Sequence, residues 1–467
     1  MLALLIPAAL PAAEVLSARV IRPSTPIAYP KTYGPVAISS ADTLVQIAQL
    51  YPTGWATIAF GDTDHDGRYE AVFFWRDPNW EWHYVILEEQ GNNVYSQEYL
   101  GPRLIPWAIG DLDQDGKAEI IGQESYYIYV YESSDATSYP SQLAWSSPAL
   151  SNVEGFTEIG DTDRDGKMEI IHSVNFGSSL YIFENSGDDA YTLVFSTYTG
   201  SQDDGEKVIA DLDGDGLVEI AFCGHHGQLH VYESPADNTW VETFTDTTGL
   251  LNAYGAEGGV DTDGNGIPEL FIAGDRYVDY QKTTLVYEAS GDNQFARVAT
   301  LLLPGDFSAG GASNALANLD GTGPWEYVFE GYFGLSVYAA SNVGVWEVRS
   351  ETIDPASGFY TGVQTFDVNK NGRCELFWDS FGRPIFVLEA PARTSDLGPL
   401  ERPRLQPLRL LPNPLRGSAI IVAPSSAPDA EWLSVYDVAG KLVERLVLAD
   451  RRNSYVWDAG QLSAGVY

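Results

Sequence analysis

The chain has 467 residues, with 65 acidic and 26 basic side chains and a formal charge of −39. So negative a molecule repels nucleic-acid phosphates and anionic lipid headgroups, which argues against DNA, RNA and membrane-surface partners. Apolar residues at 44% and aromatics at 12% supply packed cores and exclude wholesale disorder, while 45 Gly, 26 Pro and 27 Tyr point to a turn-rich β protein.

Residues 1–13, Met1 to Ala13, combine an apolar stretch with a small-residue end but lack a basic n-region; a signal-peptide remnant is expected there. Residues 14–35 read as an N-terminal linker. No apolar run of roughly 18 residues occurs, so no transmembrane segment is expected. Cys223 and Cys374 are too few for a disulfide framework and fall in different repeats, so both are expected outside any disulfide. The acidity is uneven: Pro391 to Tyr467 carries 9 basic and 8 acidic residues, leaving the excess negative charge to the region before it.

That region is repetitive. The segment Asp62 to Glu70 returns at Asp111, Asp161, Asp211 and Asp261, and more loosely at Asn318 and Asp367, with starts separated by 49, 50, 50, 50, 57 and 49 residues. Each copy stands between apolar stretches, as Trp55 to Phe60 before the first and Ala71 to Trp75 after it. A third alternating strand follows, as in Ile128 to Glu132, Leu180 to Glu184, Leu229 to Glu233 and Ile385 to Glu389, and Phe295 to Leu303 exemplifies a fourth. Four short strands per repeat of this length make the blade of a β-propeller. The seventh unit lacks a fourth strand, and Ala41 to Leu50 stands alone before the first motif. It is expected to complete the last blade and close the ring, removing two open sheet edges. The fold class predicted is all-β: a seven-bladed propeller over 36–390, then a Pro-rich linker at 391–408 and a small immunoglobulin-like β-sandwich at 409–467, cut short.

The repeated segment has the pattern Asp-x-Asp-x-Asp-Gly-x-x-Glu. It places side-chain oxygens at positions one, three, five and nine, Gly at the sharp turn of position six and a backbone carbonyl at seven. Such an oxygen set suits a hard cation, and its number and flexibility favour Ca2+ over Mg2+. Without a cation the carboxylates repel, at about 1 to 4 kcal/mol per pair at ~4 Å. The expected ligands are Asp62, Asp64, Asp66 and Glu70; Asp111, Asp113, Asp115 and Glu119; Asp161, Asp163, Asp165 and Glu169; Asp211, Asp213, Asp215 and Glu219; Asp261, Asp263, Asn265 and Glu269; and Asp367, Asn369, Asn371 and Glu375. The sixth copy, with Asn318, Asp320, Thr322, Gly323 and Glu326 and with Pro324 at position seven, has lost charge and is expected to be weak or empty.

With Phe60-Gly61-Asp62, Ile109-Gly110-Asp111 and Ile159-Gly160-Asp161 ahead of these loops, the units resemble the FG-GAP repeats of the integrin α-subunit propeller and related bacterial proteins, over about Val36 to Ala390. The resemblance implies Ca2+ in the first-to-second strand hairpins and a ligand on the opposite face. This chain departs from it in carrying the acidic motif in nearly every blade and Glu at position nine. The tail, with Leu411 to Pro414, Leu433 to Val443, Val456 to Asp458 and Leu462 to Tyr467, resembles the C-terminal sorting domain of type IX secretion cargo, which implies bacterial export.

Conventional catalytic motifs are absent, and His225-His226 reads as an exposed turn between Gly224 and Gly227. The chain is therefore expected to be no enzyme but a monomeric, extracellular or surface-displayed binding and adhesion module for an unidentified protein or glycan. A carbohydrate-active propeller, lectin or polysaccharide lyase, is the alternative. The second-to-third connections of the first and fifth units carry the aromatics Trp80, Trp82, Tyr277 and Tyr280, expected to meet the ligand.

Overall fold

The computed structural model describes residues 37–39, 44–50, 58–76, 81–91, 93–150, 155–174, 179–200, 205–278, 280–302, 313–321, 324–331, 334–353, 362–378 and 385–390, and five strands between 409 and 458. The expected signal remnant, the linkers at 14–35 and 391–408, and the terminal Leu462 to Tyr467 lie outside the described residues. The chain divides into two units, Met1–Arg393 and Thr394–Tyr467.

The first unit is a seven-bladed β-propeller, each blade an antiparallel meander. Blade 1 comprises Ile58–Gly61, Glu70–Arg76, Trp82–Glu89 and Tyr95–Leu100. Blade 2 comprises Ile105–Gly110, Glu119–Glu124, Tyr127–Ser133 and Pro140–Ser146, and blade 3 comprises Thr157–Gly160, Glu169–Val174, Ser179–Gly187 and Ala190–Tyr198. Blade 4 holds Lys207–Ala210, Glu219–Phe222, Gln228–Ala236 and Thr239–Thr247; blade 5 holds Leu250–Val260, Glu269–Arg276, Lys282–Gly291 and Gln294–Leu302. Blade 6 holds Ser313–Ala317, Glu326–Gly331, Gly334–Asn342 and Val345–Ile353. Blade 7 holds Val363–Phe366, Glu375–Trp378 and Ile385–Glu389, and takes its fourth strand, Val45–Leu50, from the N-terminal side of the ring.

Burial explains the residue patterns. First strands of successive blades lie side by side around the centre. Second strands are flanked within the sheet and covered on both faces, so they read as unbroken apolar runs such as Ile170-Ile171 and Ile220-Ala221-Phe222, every side chain buried. Outer strands such as Gln294–Leu302 leave most side chains exposed. In blades 1 to 6 a β-bulge interrupts the pairing of third and fourth strands, as between Ile182 and Phe183 or Val286 and Tyr287, which sharpens the twist at the rim.

The apolar cores lie between blades rather than within them. Ile171, Ile182, Ile220, Phe222 and Trp240 join blade 3 to blade 4, and the pattern repeats around the ring. The closing interface packs Leu50, Phe377 and Val387 of blade 7 against Ala71, Phe73 and Val85 of blade 1, with the Phe60 and Phe366 rings stacked at 5.0 Å. Val45–Leu50 pairs antiparallel with Ile385–Glu389, the pairing expected from the orphan strand. Ala37–Ser39 adds a fifth strand to blade 6 along Val345–Ile353, which nothing in the repeat pattern foretold. Among the described residues no helix is long and apolar enough to cross a membrane.

In the second unit Ser418–Val422 pairs with Arg409–Leu411 and Ser454–Asp458, and Trp432–Tyr436 pairs with Leu442–Val447. These are two small antiparallel sheets. The packing that would make them an immunoglobulin-like sandwich rests on side chains outside the described residues.

The closing strand yields a direct prediction. Leu50 is 3% exposed in the interface between blades 7 and 1, so Leu50→Ala lowers stability by about 2 to 5 kcal/mol in denaturant unfolding. Deleting residues 1–35 leaves the transition unchanged, whereas deleting through Leu50 bares the edge of Ile385–Glu389 and produces aggregation. Equal solubility of the two truncations contradicts closure by this strand.

Candidate metal centres

Each acidic loop links the first strand of a blade to its second. Position six adopts a left-handed backbone, with φ of 91° at Gly67, 89° at Gly116, 92° at Gly166 and Gly216, 89° at Gly266 and 85° at Gly372, a region glycine enters without a Cβ clash. That turn folds the loop back over its own carboxylates. Asp62, Asp111 and Asp161 each accept the N–H of their position-six glycine through Oδ2 at 3.1 Å, and Asp211, Asp261 and Asp367 do so at 3.0, 2.8 and 2.8 Å. Position three accepts from the N–H of position five: Asp64, Asp163 and Asp213 at 3.2 Å, Asp113 at 3.3 Å, and Asp263 and Asn369 at 3.0 Å. Position five accepts from the N–H of position seven in Asp66, Asp115, Asp165, Asp215, Asn265 and Asn371.

The position-nine glutamate opens the second strand and is buried. Its Oε2 accepts the N–H of position two: Glu119 from Leu112 at 2.7 Å, Glu269 from Thr262 at 2.6 Å and Glu375 from Val368 at 2.8 Å, with Glu70, Glu169 and Glu219 arranged alike. The other oxygen, Oε1, is buried without a partner in Glu70, Glu119, Glu169, Glu219 and Glu269. In the first three loops the position-one, -three, -five and -nine carboxylates bring an oxygen each within 4.8 Å of one another. Buried unpartnered acceptors cost free energy, and several oxygens converging on one point suit a hard cation. The residues therefore fit a metal ion. The seventh loop differs, because the Asn369 amide donates to Glu375 Oε1 there.

Burial pushes these glutamates up, to about 8 for Glu70, Glu169 and Glu219, about 9 for Glu119 and about 7 for Glu269 and Glu375, with the neighbouring aspartates adding to the effect. Burial likewise raises Asp64 and Asp163.

A further tier of carboxylates was missed in the sequence. In every blade but the sixth the third strand carries a glutamate beside the loop, Glu88, Glu132, Glu184, Glu233, Glu288 and Glu389; Asp113, Asp115, Glu132 and Asp188 form a second oxygen cluster, as do Asp163, Asp165, Glu184 and Asp237. Here the chain supplies its own cation: Lys117 Nζ donates to Glu132 and Lys167 Nζ to Glu184, each at 2.9 Å. Arg68 serves Glu88 and Arg373 serves Glu389 in the same way. The signal was visible in the recurring Tyr131-Glu132, Phe183-Glu184, Tyr232-Glu233 and Leu388-Glu389.

The loops also tie blade to blade. The second oxygen of position three accepts a backbone N–H from the outer hairpin of the next blade: Asp113 from Asp189 at 2.9 Å, Asp163 from Asn238 at 2.7 Å, Asp213 from Asn293 and Asp263 from Gly344 at 2.6 Å. Trp240 Nε1 donates to Thr162 Oγ1 at 3.1 Å, and that hydroxyl donates to Glu169 Oε2 at 2.9 Å; Trp346 meets Thr262 in the same way.

At the other end of the second strands lie the expected ligand-contacting loops. Tyr277 is 67% and Tyr280 48% exposed, on a turn held by the Arg276–Gln281 backbone bond at 2.9 Å and the buried Lys282–Asp275 ion pair at 2.9 Å. Trp82 pairs with Arg76 through the backbone; its side chain, and Trp80 altogether, lie outside the described residues.

No family model matches the chain, and no curated protein matches it. Among solved structures it is similar to BBS1N in complex with ARL6DN, soaked with lead, at 13% identity and a TM-score of 0.50 over 76% of this chain and 99% of that one. It is also similar to the periplasmic gluconolactonase of Pseudomonas aeruginosa (12% identity, TM-score 0.38, 51% of this chain and 67% of that one). A third is a 6-phosphogluconolactonase structure from Bacteroides fragilis (11% identity, TM-score 0.44, 63% of this chain and 84% of that one). The likeness to BBS1N establishes the propeller fold and nothing finer. The expectation that the chain is no enzyme is corrected: structures named as a gluconolactonase and a 6-phosphogluconolactonase are among those it is similar to, and missing motifs do not exclude catalysis, since one fold hosts many functions. These neighbours assign no reaction to it.

The raised glutamates give a pH signature. Unfolded, these carboxyls titrate near 4.5; folded and metal-free, at about 7 to 9, so the folded chain holds more protons in between. The contribution of these glutamates to stability in chelator is therefore full below about pH 4.5 and is lost as pH rises through about 7 to 9. A bound cation favours the carboxylate and reverses the slope. Thermal melts from pH 5 to 8.5 with and without a divalent cation check both signs.

Proposed function

We propose that the chain is a Ca2+-loaded β-propeller of the FG-GAP kind, working outside the cell, whose metal-stiffened ring presents a recognition surface for a protein or glycan. The observation that carries the metal reading is the buried, unpartnered Oε1 of Glu70, Glu119, Glu169, Glu219 and Glu269, each in a loop of oxygen donors. Carboxylate-rich sites with flexible geometry suit Ca2+ better than Mg2+, which demands a near-ideal octahedron and keeps its waters. One ion belongs to each of the first five loops, and one to the seventh after the Asn369 amide turns its oxygen inward. Extracellular Ca2+ sites bind at about 10⁻⁴ to 10⁻³ M, a range matched to calcium outside cells. The apolar start and the sorting-like tail support export from a bacterial cell.

Calcium that binds only the folded ring adds about 2.7 kcal/mol per site at a hundredfold excess over Kd. Chelation lowers the melting temperature substantially and Ca2+ restores it; identical melts in chelator and calcium contradict the reading. Asp215→Ala removes one bound ion, counted by equilibrium dialysis, and leaves the fold intact.

The recognition surface is assigned to the face of the second-to-third connections, where Tyr277 and Tyr280 stand out on an anchored turn. Tyr277→Ala weakens binding to the ligand found by a glycan array or surface-protein screen while leaving the melting temperature unchanged. Normal binding by this variant, with loss on substitution at the metal-loop face, places the surface on the wrong side.

A further inference from the structure

In the first five loops the second oxygen of the position-nine glutamate is buried and without a partner. The sixth loop departs from this. Glu326 accepts the Leu319 N–H through Oε2 at 3.1 Å, as its counterparts accept theirs, but its Oε1 takes a hydrogen bond from Arg349 Nη1. The same guanidinium nitrogen lies 3.5 Å from Asp320 Oδ2, the position-three carboxylate.

Arg349 comes from the fourth strand of the same blade, Val345–Ile353, at its β-bulge between Val348 and Ser350. The residues at the corresponding bulge in blades 1 to 5 are Glu98, Ala144, Val194, Thr243 and Val298, none of them cationic. The arginine thus appears only in the blade whose loop has lost its position-one and position-five aspartates. The pair is well shielded: Glu326 is 2%, Asp320 12% and Arg349 26% exposed. Arginine keeps its charge when shielded and donates in a fixed fork, so it can hold two carboxylates at once. A cation in that place also repels an incoming metal ion.

We propose that Arg349 is the resident cation of the sixth loop, that it keeps this loop free of metal, and that its removal opens a metal site made by Asp320, Glu326 and Asn318. The Asn318 Oδ1 is buried and still without a partner, as a metal ligand requires. The blade has exchanged a dissociable ion for a covalently tethered one, so its loop keeps a cation when calcium is withdrawn. The metal part rests on the calcium reading above; the guanidinium part does not.

The test is a double-mutant cycle with an ion count. In chelator, Arg349→Gln and Glu326→Gln each lower the denaturant midpoint, and the double variant loses no more than the weaker single one. Additive losses overturn the resident cation. In calcium, equilibrium dialysis finds one more ion per chain on Arg349→Gln than on wild type, and calcium recovers the lost midpoint, while Arg349→Lys keeps the wild-type count. An unchanged count with no recovery overturns the latent site. If wild type and Arg349→Gln both bind no calcium while the cycle stays non-additive, the calcium reading fails and the guanidinium pairing stands. Should Arg349→Gln fold only in calcium, the proposal is supported; should it fold in neither condition, with Arg349→Lys also unfolded, the proposal is overturned.

Discussion

The structure turns on a single carboxyl group per blade. The glutamate at the start of the second strand is fixed through one oxygen to the backbone of its own loop, and in the first five blades its other oxygen is left buried without a partner. An acceptor stripped of water and given no donor costs free energy. A proton or a cation removes that cost in the first five loops, as the Asn369 amide does in the seventh. The raised affinity of these groups for protons is the metal-free half of that choice, and the ring of aspartates supplies the other half.

From that group the consequences run outward. The loop that holds it lends its position-three oxygen to the outer hairpin of the following blade, and through Thr162 and Trp240 the glutamate is wired to a neighbouring core. Since the apolar clusters also sit between blades, blades 2 to 6 are joined to one another twice, through packing and through the loop. Closure by Val45–Leu50 makes the dependence circular, so no terminal blade is left to fray. A rigid ring of this kind leaves its other face available to carry loops such as Tyr277 to Tyr280.

Much of this was legible in the residues, because the repeat exposes local chemistry seven times over. The carboxylate positions, the turn glycine, the number of blades and the need for a closing strand all follow from short-range pattern. What escaped was long-range. The hydrogen bond from Asn238 to Asp163 joins residues 75 apart, and Arg349 reaches Glu326 across 23; no spacing rule signals either. The third-strand glutamates were visible as a repeated Tyr-Glu or Phe-Glu, but their role appears only where the strand ends beside the loop and Lys117 bridges Asp115 and Glu132. The fifth strand of blade 6, Ala37–Ser39, is too short to carry a pattern. The exclusion of enzymatic function rested on missing motifs, and motif absence is a poor guide on a fold that hosts many chemistries.

The central claim is that the unpartnered glutamate oxygens are metal ligands. A crystal structure of the calcium-soaked protein, with anomalous scattering to identify the ion, tests it most directly. The account predicts a calcium peak about 2.3 to 2.6 Å from Glu70 Oε1 and from its counterparts in the second to fifth loops, with the sixth loop holding Arg349 instead. Loops filled by water or by their own basic side chains, with those glutamate oxygens pointing away from any ion, contradict it.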